Sequence, residues 1–121
     1  MQERLEINFK GKKYTSKPFN VGNMVDLEKA KAMLSAGQWG GIYRANTLTG
    51  DESLVMMQTQ AAISIFFPEL LEDLKPKSIM ELGIKDYIDF RKLYTEKIEK
   101  WVNSHIEMLR DTGEENDKSN Q

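Results

Sequence analysis

The sequence predicts a mainly α-helical chain with a small N-terminal β-hairpin, an α+β fold of about four helices whose longest member is C-terminal. Three observations predict this fold. Apolar and polar residues alternate near the N-terminus, apolar residues recur at helical spacing in later stretches, and glycine or proline separates these stretches. Because 121 residues suffice for one modest core, we expect a single globular domain over residues 1–110.

The first element is a hairpin predicted over residues 4–17. Apolar and polar side chains alternate there, as in a strand with one buried face: Leu5, Ile7 and Phe9 alternate with Glu6, Asn8 and Lys10. The stretch "KGKK" supplies a glycine turn, and the segment from Tyr14 to Lys17 is the expected return strand. Since an isolated hairpin is marginal in water, it is expected to pack on the helices.

The first helix is predicted over residues 23–35 and is entered through "FNVGNMVDLEK". Asn23 is the expected N-cap, and Asp26 places a carboxylate in the first turn, near the positive end of the helix dipole. A phosphate-binding loop usually has several glycines and no adjacent carboxylate. The single Gly22 therefore indicates a helix cap rather than an anion site.

Residues 38–50 are rich in glycine and are predicted to form a loop with room for a short helical turn. The loop carries Trp39, Ile42 and Tyr43. Two alternatives remain at this stage. These side chains either pack back into the core or form an exposed surface that binds a partner.

Two further helices are predicted over residues 51–67 and 68–74. Leu54, Met57 and Ala61 recur along one face of the first of them. Pro68 cannot continue the hydrogen-bond ladder of that helix, but proline is favourable at the first position of the next one. We therefore expect the chain to break and restart at this proline.

The longest helix is predicted over residues 85–110, with Asp86 as its N-cap. Its apolar stripe follows the helical period: Tyr87, Phe90, Tyr94, Ile98, Trp101, His105 and Met108. The stripe is wider than one packing seam needs, so its margins are expected to meet a partner. Beyond it, residues 111–121 contain four acidic residues, one lysine and no large apolar residue, which predicts a disordered acidic tail.

The residue types argue against an enzyme. The chain has no cysteine and a single histidine, His105, which excludes thiolate chemistry and imidazole metal clusters. Adjacent carboxylates such as Glu72 and Asp73 point in different directions on a helix, so they do not face one bond as acid and base. We expect no catalytic residue, no cofactor and no metal site.

Charge and hydropathy also restrict the partners. The 17 Lys and Arg against 19 Asp and Glu give a formal net charge of -2, so no overall field attracts nucleic acid, and no stretch is long and apolar enough to span a membrane. A small nucleic-acid-binding regulator remains the alternative, because Lys10, Lys12, Lys13 and Lys17 cluster in the hairpin. The same lysines also keep an edge strand from pairing with other chains.

Two segments, "LEINFKGKKYTSKPFNVGNMVDLEK" and "KPKSIMELGIKDYIDFRKLYTEKIEKWVNSHIE", resemble the tail assembly chaperones of long-tailed (siphovirus-type) bacteriophages. The likeness covers about residues 5–106. It consists of the leading hairpin, the "FN" entry into the first helix, and a closing helix with an early tyrosine and a late tryptophan and asparagine (Tyr94, Trp101 and Asn103). None of these features is a catalytic motif, and their order carries the resemblance.

The resemblance implies a non-enzymatic assembly factor of the host cytoplasm that is not part of the mature virion. Such proteins bind the helical tape measure protein, keep it soluble and help to recruit tail tube subunits, so the tape measure protein is the implied partner and the tail tube protein a further candidate. Homo-oligomerisation and a structural role in the tail or at the head–tail junction stay open. The candidate partner-binding residues are Trp39, Ile42, Tyr43, Tyr94 and Trp101.

Overall fold

The fold is a helical array with one hairpin packed against it. The computed structural model describes residues 3–76 and 78–119, with side chains up to Asp111. The elements in chain order are β1 (Glu6–Phe9), β2 (Lys12–Thr15), α1 (Val21–Leu34), α2 (Trp39–Ala45), α3 (Leu48–Phe66), α4 (Pro68–Asp73), a 3₁₀ turn (Ile79–Glu81), α5 (Ile84–Leu93), a π-helical segment (Tyr94–Ile98) and α6 (Glu99–Ser119). The predicted fold class, mainly helical with an N-terminal hairpin and the longest helix C-terminal, is confirmed.

The hairpin is antiparallel and places Ile7 opposite Tyr14, both of them buried. Its turn is made by Lys10 and Gly11, which have φ angles of 50° and 82°, a left-handed conformation that favours glycine at one of the two positions. The Phe9 ring packs on Phe90 of α5 with centroids 4.7 Å apart. The alternating pattern therefore buries one face of the hairpin against the helices, as the sequence predicted.

Helix α1 begins earlier than predicted because its cap is Asn20 and not Asn23. The Asn20 side chain accepts a hydrogen bond from the Asn23 backbone N–H at 2.8 Å, so Asn23 already lies in the first turn. The Asn23 side chain instead donates to the Pro18 carbonyl at 2.8 Å. Asn20 thus takes the capping role predicted for Asn23, and the helix gains two residues at its start. The prediction that Asp26 lies in the first turn is therefore wrong.

The glycine-rich segment, predicted as a loop with room for a short helical turn, contains the seven-residue helix α2. Asn46 ends this helix in the left-handed conformation, with φ 53°. Thr47 then caps α3, accepting from the Gly50 N–H at 3.0 Å, so α3 begins at Leu48 rather than at Asp51. The predicted break at Pro68 is confirmed, since α3 ends at Phe66 and Pro68 occupies the first turn of α4.

The predicted last helix differs from the structure at both ends and in its middle. Its N-cap is Gly83 rather than Asp86, so it starts at Ile84 rather than at residue 85, and it widens into a π-helical turn over Tyr94–Ile98. It also continues to Ser119, where the sequence predicts a tail from residue 111. Extending an existing helix costs far less than nucleating one, so the polar residues after Arg110 continue it without an apolar face. Residues 120 and 121 lie outside the described range.

The core centres on α3. Ala61, Ile63 and Phe66 are fully buried there, and α1, α2, α4 and α5 pack around this helix. Trp101 of α6 meets the Phe66 ring edge-on with centroids 5.1 Å apart. Both α1 and α6 border the core, and their outer faces form the two sides of a surface groove.

Candidate functional site

A groove runs along α1 and separates it from α6. Three depressions lie in a row there, with volumes of about 160, 390 and 200 Å³. Met24 lines the first and second depressions, and Glu28 and Lys31 line the second and third, so neighbouring depressions share lining residues. We call this surface the α1–α6 groove, defined by its main lining residues: Phe19, Val21, Met24, Glu28, Lys31, Trp39, Tyr94, Glu99, Val102, Ile106, Met108 and Leu109.

Helical periodicity places these side chains along the groove. The α1 lining residues Val21, Met24, Glu28 and Lys31 are spaced by three, four and three positions. The α6 residues Glu99, Val102, Ile106 and Leu109 have the same spacing. Residues at this spacing lie on one face of a helix, so each helix presents a single stripe to the groove.

The two stripes run in opposite directions. The start of α1 lies opposite the later part of α6, because Val21 and Leu109 line the same depression. Further along α1, Glu28 shares the second depression with Glu99, the first residue of α6. The groove therefore has one apolar end, at Val21 and Leu109, and one polar end, at Glu28 and Glu99.

The apolar end exposes large side chains. Val21 is 73% exposed and Leu109 57% exposed, and Met108 is also exposed. Single exposed apolar residues are ordinary on a protein surface, but a contiguous set that lines a depression is typical of a binding surface. This end of the groove can take up the apolar side chains of a partner.

Aromatic rings form the floor beneath the apolar end. Phe19 stacks on His105 with centroids 4.4 Å apart and on Phe66 with centroids 5.5 Å apart. Trp101 meets Phe19 edge-on at 5.5 Å. The Nδ1 atom of His105 lies 2.9 Å from the Trp101 carbonyl, and because a carbonyl only accepts, Nδ1 is the donor. The floor is thus held rigid while the side chains above it stay exposed.

The polar end is built around Tyr94 in the π-helical turn. Its hydroxyl lies 3.4 Å from Gln58 Oε1 of α3, and it also hydrogen-bonds to the Glu99 carboxylate. Burial, followed by the negative charge of Glu99, raises the pKa of this hydroxyl well above its usual range. Tyr94 therefore stays neutral and acts as a hydrogen-bonding and packing group.

The charges at this end are unequal. The Lys31 ammonium forms an ion pair with the Glu28 carboxylate at 2.8 Å. In the part of the chain that the structure describes, no ion pair includes Glu99, which is half-buried. The polar end therefore carries a net negative charge that a basic group of a partner would complement.

The structure distributes the predicted binding residues unevenly. Tyr94 lines the groove, and Trp39 lines its far end, where the Lys31 ammonium lies 5.1 Å from the indole centroid. Trp101 is buried under the floor and belongs to the core. Ile42 is half-buried, while Tyr43 is 69% exposed on α2 and is not among the groove-lining residues. The segment 38–50 thus supplies one groove residue, Trp39, and a role of Ile42 and Tyr43 in binding a partner stays a prediction.

Several groove residues were not identified from the sequence. Val21, Met24 and Leu109 belong to stripes that the sequence assigned to the core or left unassigned. The signal available for them was the repeated spacing of three and four positions in both helices. That signal does not reveal by itself that the two stripes face each other.

Three of the four hairpin lysines contact other groups of the chain. Lys12 donates to Asp73 at 2.8 Å, Lys13 lies 3.2 Å from Glu6, and the Lys10 ammonium lies 5.5 Å from the centroid of the Phe90 ring. These contacts agree with the prediction that the lysines keep the edge strand from pairing with other chains. They occupy the same lysines that a nucleic-acid interface would use, and that alternative stays a prediction.

Together, the fold and the groove define a small, mainly helical chain with an elongated surface groove. Among residues 3–76 and 78–119, no three His, Cys, Asp or Glu residues are grouped so that they could hold a metal ion. None of the helices in the described part combines the length and the apolar character needed to cross a bilayer. Comparisons with protein-family models, curated proteins and solved structures give no match to this chain.

Proposed function

We propose that this protein is a bacteriophage tail assembly chaperone that binds the tape measure protein, keeps it soluble and helps to recruit tail tube subunits. In this role it is not an enzyme, acts in the host cytoplasm and is left out of the mature virion. The α1–α6 groove is the observation that carries the proposal. The resemblance of residues 5–106 to this family supplies the identity of the partner.

The physical task explains why such a groove is needed. A long amphipathic helix exposes apolar side chains until the tail tube encloses it, and exposed apolar stripes promote aggregation. A groove that buries part of such a stripe removes its apolar surface from water. The groove can then release the helix when tail tube subunits bury the stripe more completely. The apolar end at Val21 and Leu109 provides this surface.

The proposal predicts that two exposed groove residues are needed to keep the partner soluble. The variant Val21→Glu/Leu109→Glu places charges in the apolar end, where both side chains are exposed and their loss removes little core packing. Co-expressed with the tape measure protein of the same phage, the wild-type protein is expected to keep most of that protein in the supernatant. The variant is expected to lose at least half of this effect.

A matched control separates binding from folding. Leu48 and Ile84 are 80% and 66% exposed and are not groove-lining residues, and Leu48 opens α3 as Val21 opens α1. The variant Leu48→Glu/Ile84→Glu is expected to behave as wild type. Equal loss in both variants, or no loss in either, contradicts a role for the groove in this activity.

Analysis of purified virions tests the non-structural part of the proposal. Quantitative mass spectrometry is expected to detect the protein in lysates of infected cells and not at stoichiometric levels in purified particles. A constant number of copies per virion contradicts the chaperone proposal and supports a structural tail or head–tail component.

A further inference from the structure

We propose that the α1–α6 groove seats one amphipathic partner helix with a defined pattern: apolar residues at positions i, i+3 and i+7 and a lysine or arginine at i+10. The inference deepens the proposed function, since the tape measure helix would be the natural source of such segments. It concerns the groove itself and is testable without that protein.

The matching stripes of α1 and α6 determine the spacing. Each helix presents residues separated by three, four and three positions to the space between them. This is the spacing of the a and d positions in a coiled coil, where side chains of one helix insert between those of its neighbours. A third helix with the same spacing therefore packs against both stripes at once.

The length of the groove determines where the pattern ends. Glu99 and Leu109 lie ten positions apart in α6, which corresponds to about 15 Å at the rise of an α-helix. In a partner helix, the residue that contacts Leu109 and the residue that contacts Glu99 are therefore also about ten positions apart. Positions i and i+10 are an a position and the d position of the next heptad, so the a/d stripe of one helix reaches both ends of the groove.

The charge at the polar end selects the residue at i+10. Glu99 has no ion pair in the described part of the chain, whereas Glu28 already has Lys31. A lysine or arginine at this point gains an ion pair with Glu99, and a glutamate there would meet two carboxylates. The same end thus favours basic residues and rejects acidic ones.

A peptide binding assay tests the pattern directly. The probe is a fluorescein-labelled 21-residue helical peptide of three heptads with leucine at i, i+3 and i+7 and lysine at i+10. Two matched peptides carry norleucine or glutamate at that position. Fluorescence anisotropy with the full-length protein is expected to rank the peptides lysine, norleucine, glutamate, with roughly fivefold weaker binding at each step.

Variants of the protein locate the charge and the groove. Glu99→Gln is expected to abolish the difference between the lysine and norleucine peptides, and Glu99→Lys to favour the glutamate peptide. Val21→Glu/Leu109→Glu is expected to weaken all three by about tenfold or more, while Leu48→Glu/Ile84→Glu leaves them unchanged. Far-UV circular dichroism confirms that each variant is folded.

The outcomes distinguish this inference from the proposed function. Equal binding of the three peptides, or a preference that survives Glu99→Gln, overturns the charge assignment even where the tape measure protein is kept soluble. Ranked binding of the peptides without any effect on the tape measure protein supports the groove and refutes the proposed partner. A wild-type dimer in sedimentation velocity that the groove variant alone converts to monomer overturns the inference, since a second copy is then the occupant.

Discussion

At the scale of single residues, the aromatic floor shows how packing and one hydrogen bond fix side chains beneath the groove. Trp101 is buried against Phe66 and Phe19, and its carbonyl fixes the orientation of His105. The sequence identified Trp101 and His105 from their place in a helical stripe. It did not identify Phe19, which lies outside any helix, because periodicity has no meaning for a residue held by tertiary contacts.

Replacing Trp101 by alanine is expected to destabilise the protein by about 3 to 5 kcal/mol, because the change leaves a cavity beside Phe66. This is a large share of the stability of a small domain. Urea denaturation followed by circular dichroism measures the loss. Trp101→Phe keeps an aromatic ring at the site and should cost clearly less; equal and small losses for both variants would show that the indole is not a core residue.

At the scale of elements, local capping decides where the helices begin, and tertiary packing decides their irregularities. Pro68 marked its boundary correctly because proline has one favourable place in a helix. The choice between Asn20 and Asn23 as cap depended on which side chain faces the first turn, and both are acceptable in sequence. The π-helical turn at Tyr94 could not be predicted from the spacing of apolar residues. Tyr94, Ile98 and Trp101 are all buried, and their separations of four and three positions are those of an ordinary α-helix.

Removing the last turns of α6 is expected to have little effect on stability. A chain ending at Asp111 loses residues that contain no large apolar side chain, so the free energy of unfolding should change by no more than about 0.5 kcal/mol. The helical signal in far-UV circular dichroism should fall in proportion to the residues removed. A clearly lower urea midpoint in the shortened chain would show that the acidic end packs against the domain.

At the scale of the whole molecule, the fold follows from the sequence better than the site does. The alternation in the hairpin and the helical stripes were enough to predict the fold class. The groove needed more, because it joins Val21 and Leu109, which are far apart in sequence and meet only when α1 and α6 have packed on the core. No local pattern states which helices become neighbours.

The hairpin is tied to the helical part through Asp73, and this tie predicts a pH dependence. Hydrogen bonds from Lys12 and Tyr14 lower the pKa of the Asp73 carboxyl below its ordinary value. A depressed folded-state pKa stabilises the fold above about pH 4, where the unfolded carboxyl is ionised, and this contribution is lost as the pH falls through the folded pKa. Asp73→Asn should therefore lower the melting temperature at pH 7, and the difference from wild type should narrow below about pH 4.

Glu72→Gln is the matched control, because Glu72 is an exposed carboxylate on the same helix and is absent from the ion pairs of the described residues. Melting temperatures measured from pH 3 to pH 7 should show little difference between this variant and wild type. If the melting temperature of Asp73→Asn stays below that of wild type by the same amount at every pH, the variant disturbs packing rather than the charged hydrogen bonds.

Two methionines, Met24 and Met108, line the apolar end of the groove. A methionine side chain has three rotatable bonds and a polarizable sulfur, so it changes shape at little energetic cost and fits neighbours of different outline. A surface built this way does not require one particular sequence of apolar side chains. If the proposed function holds, the two methionines would let the same apolar end accept successive, non-identical segments of one long helix.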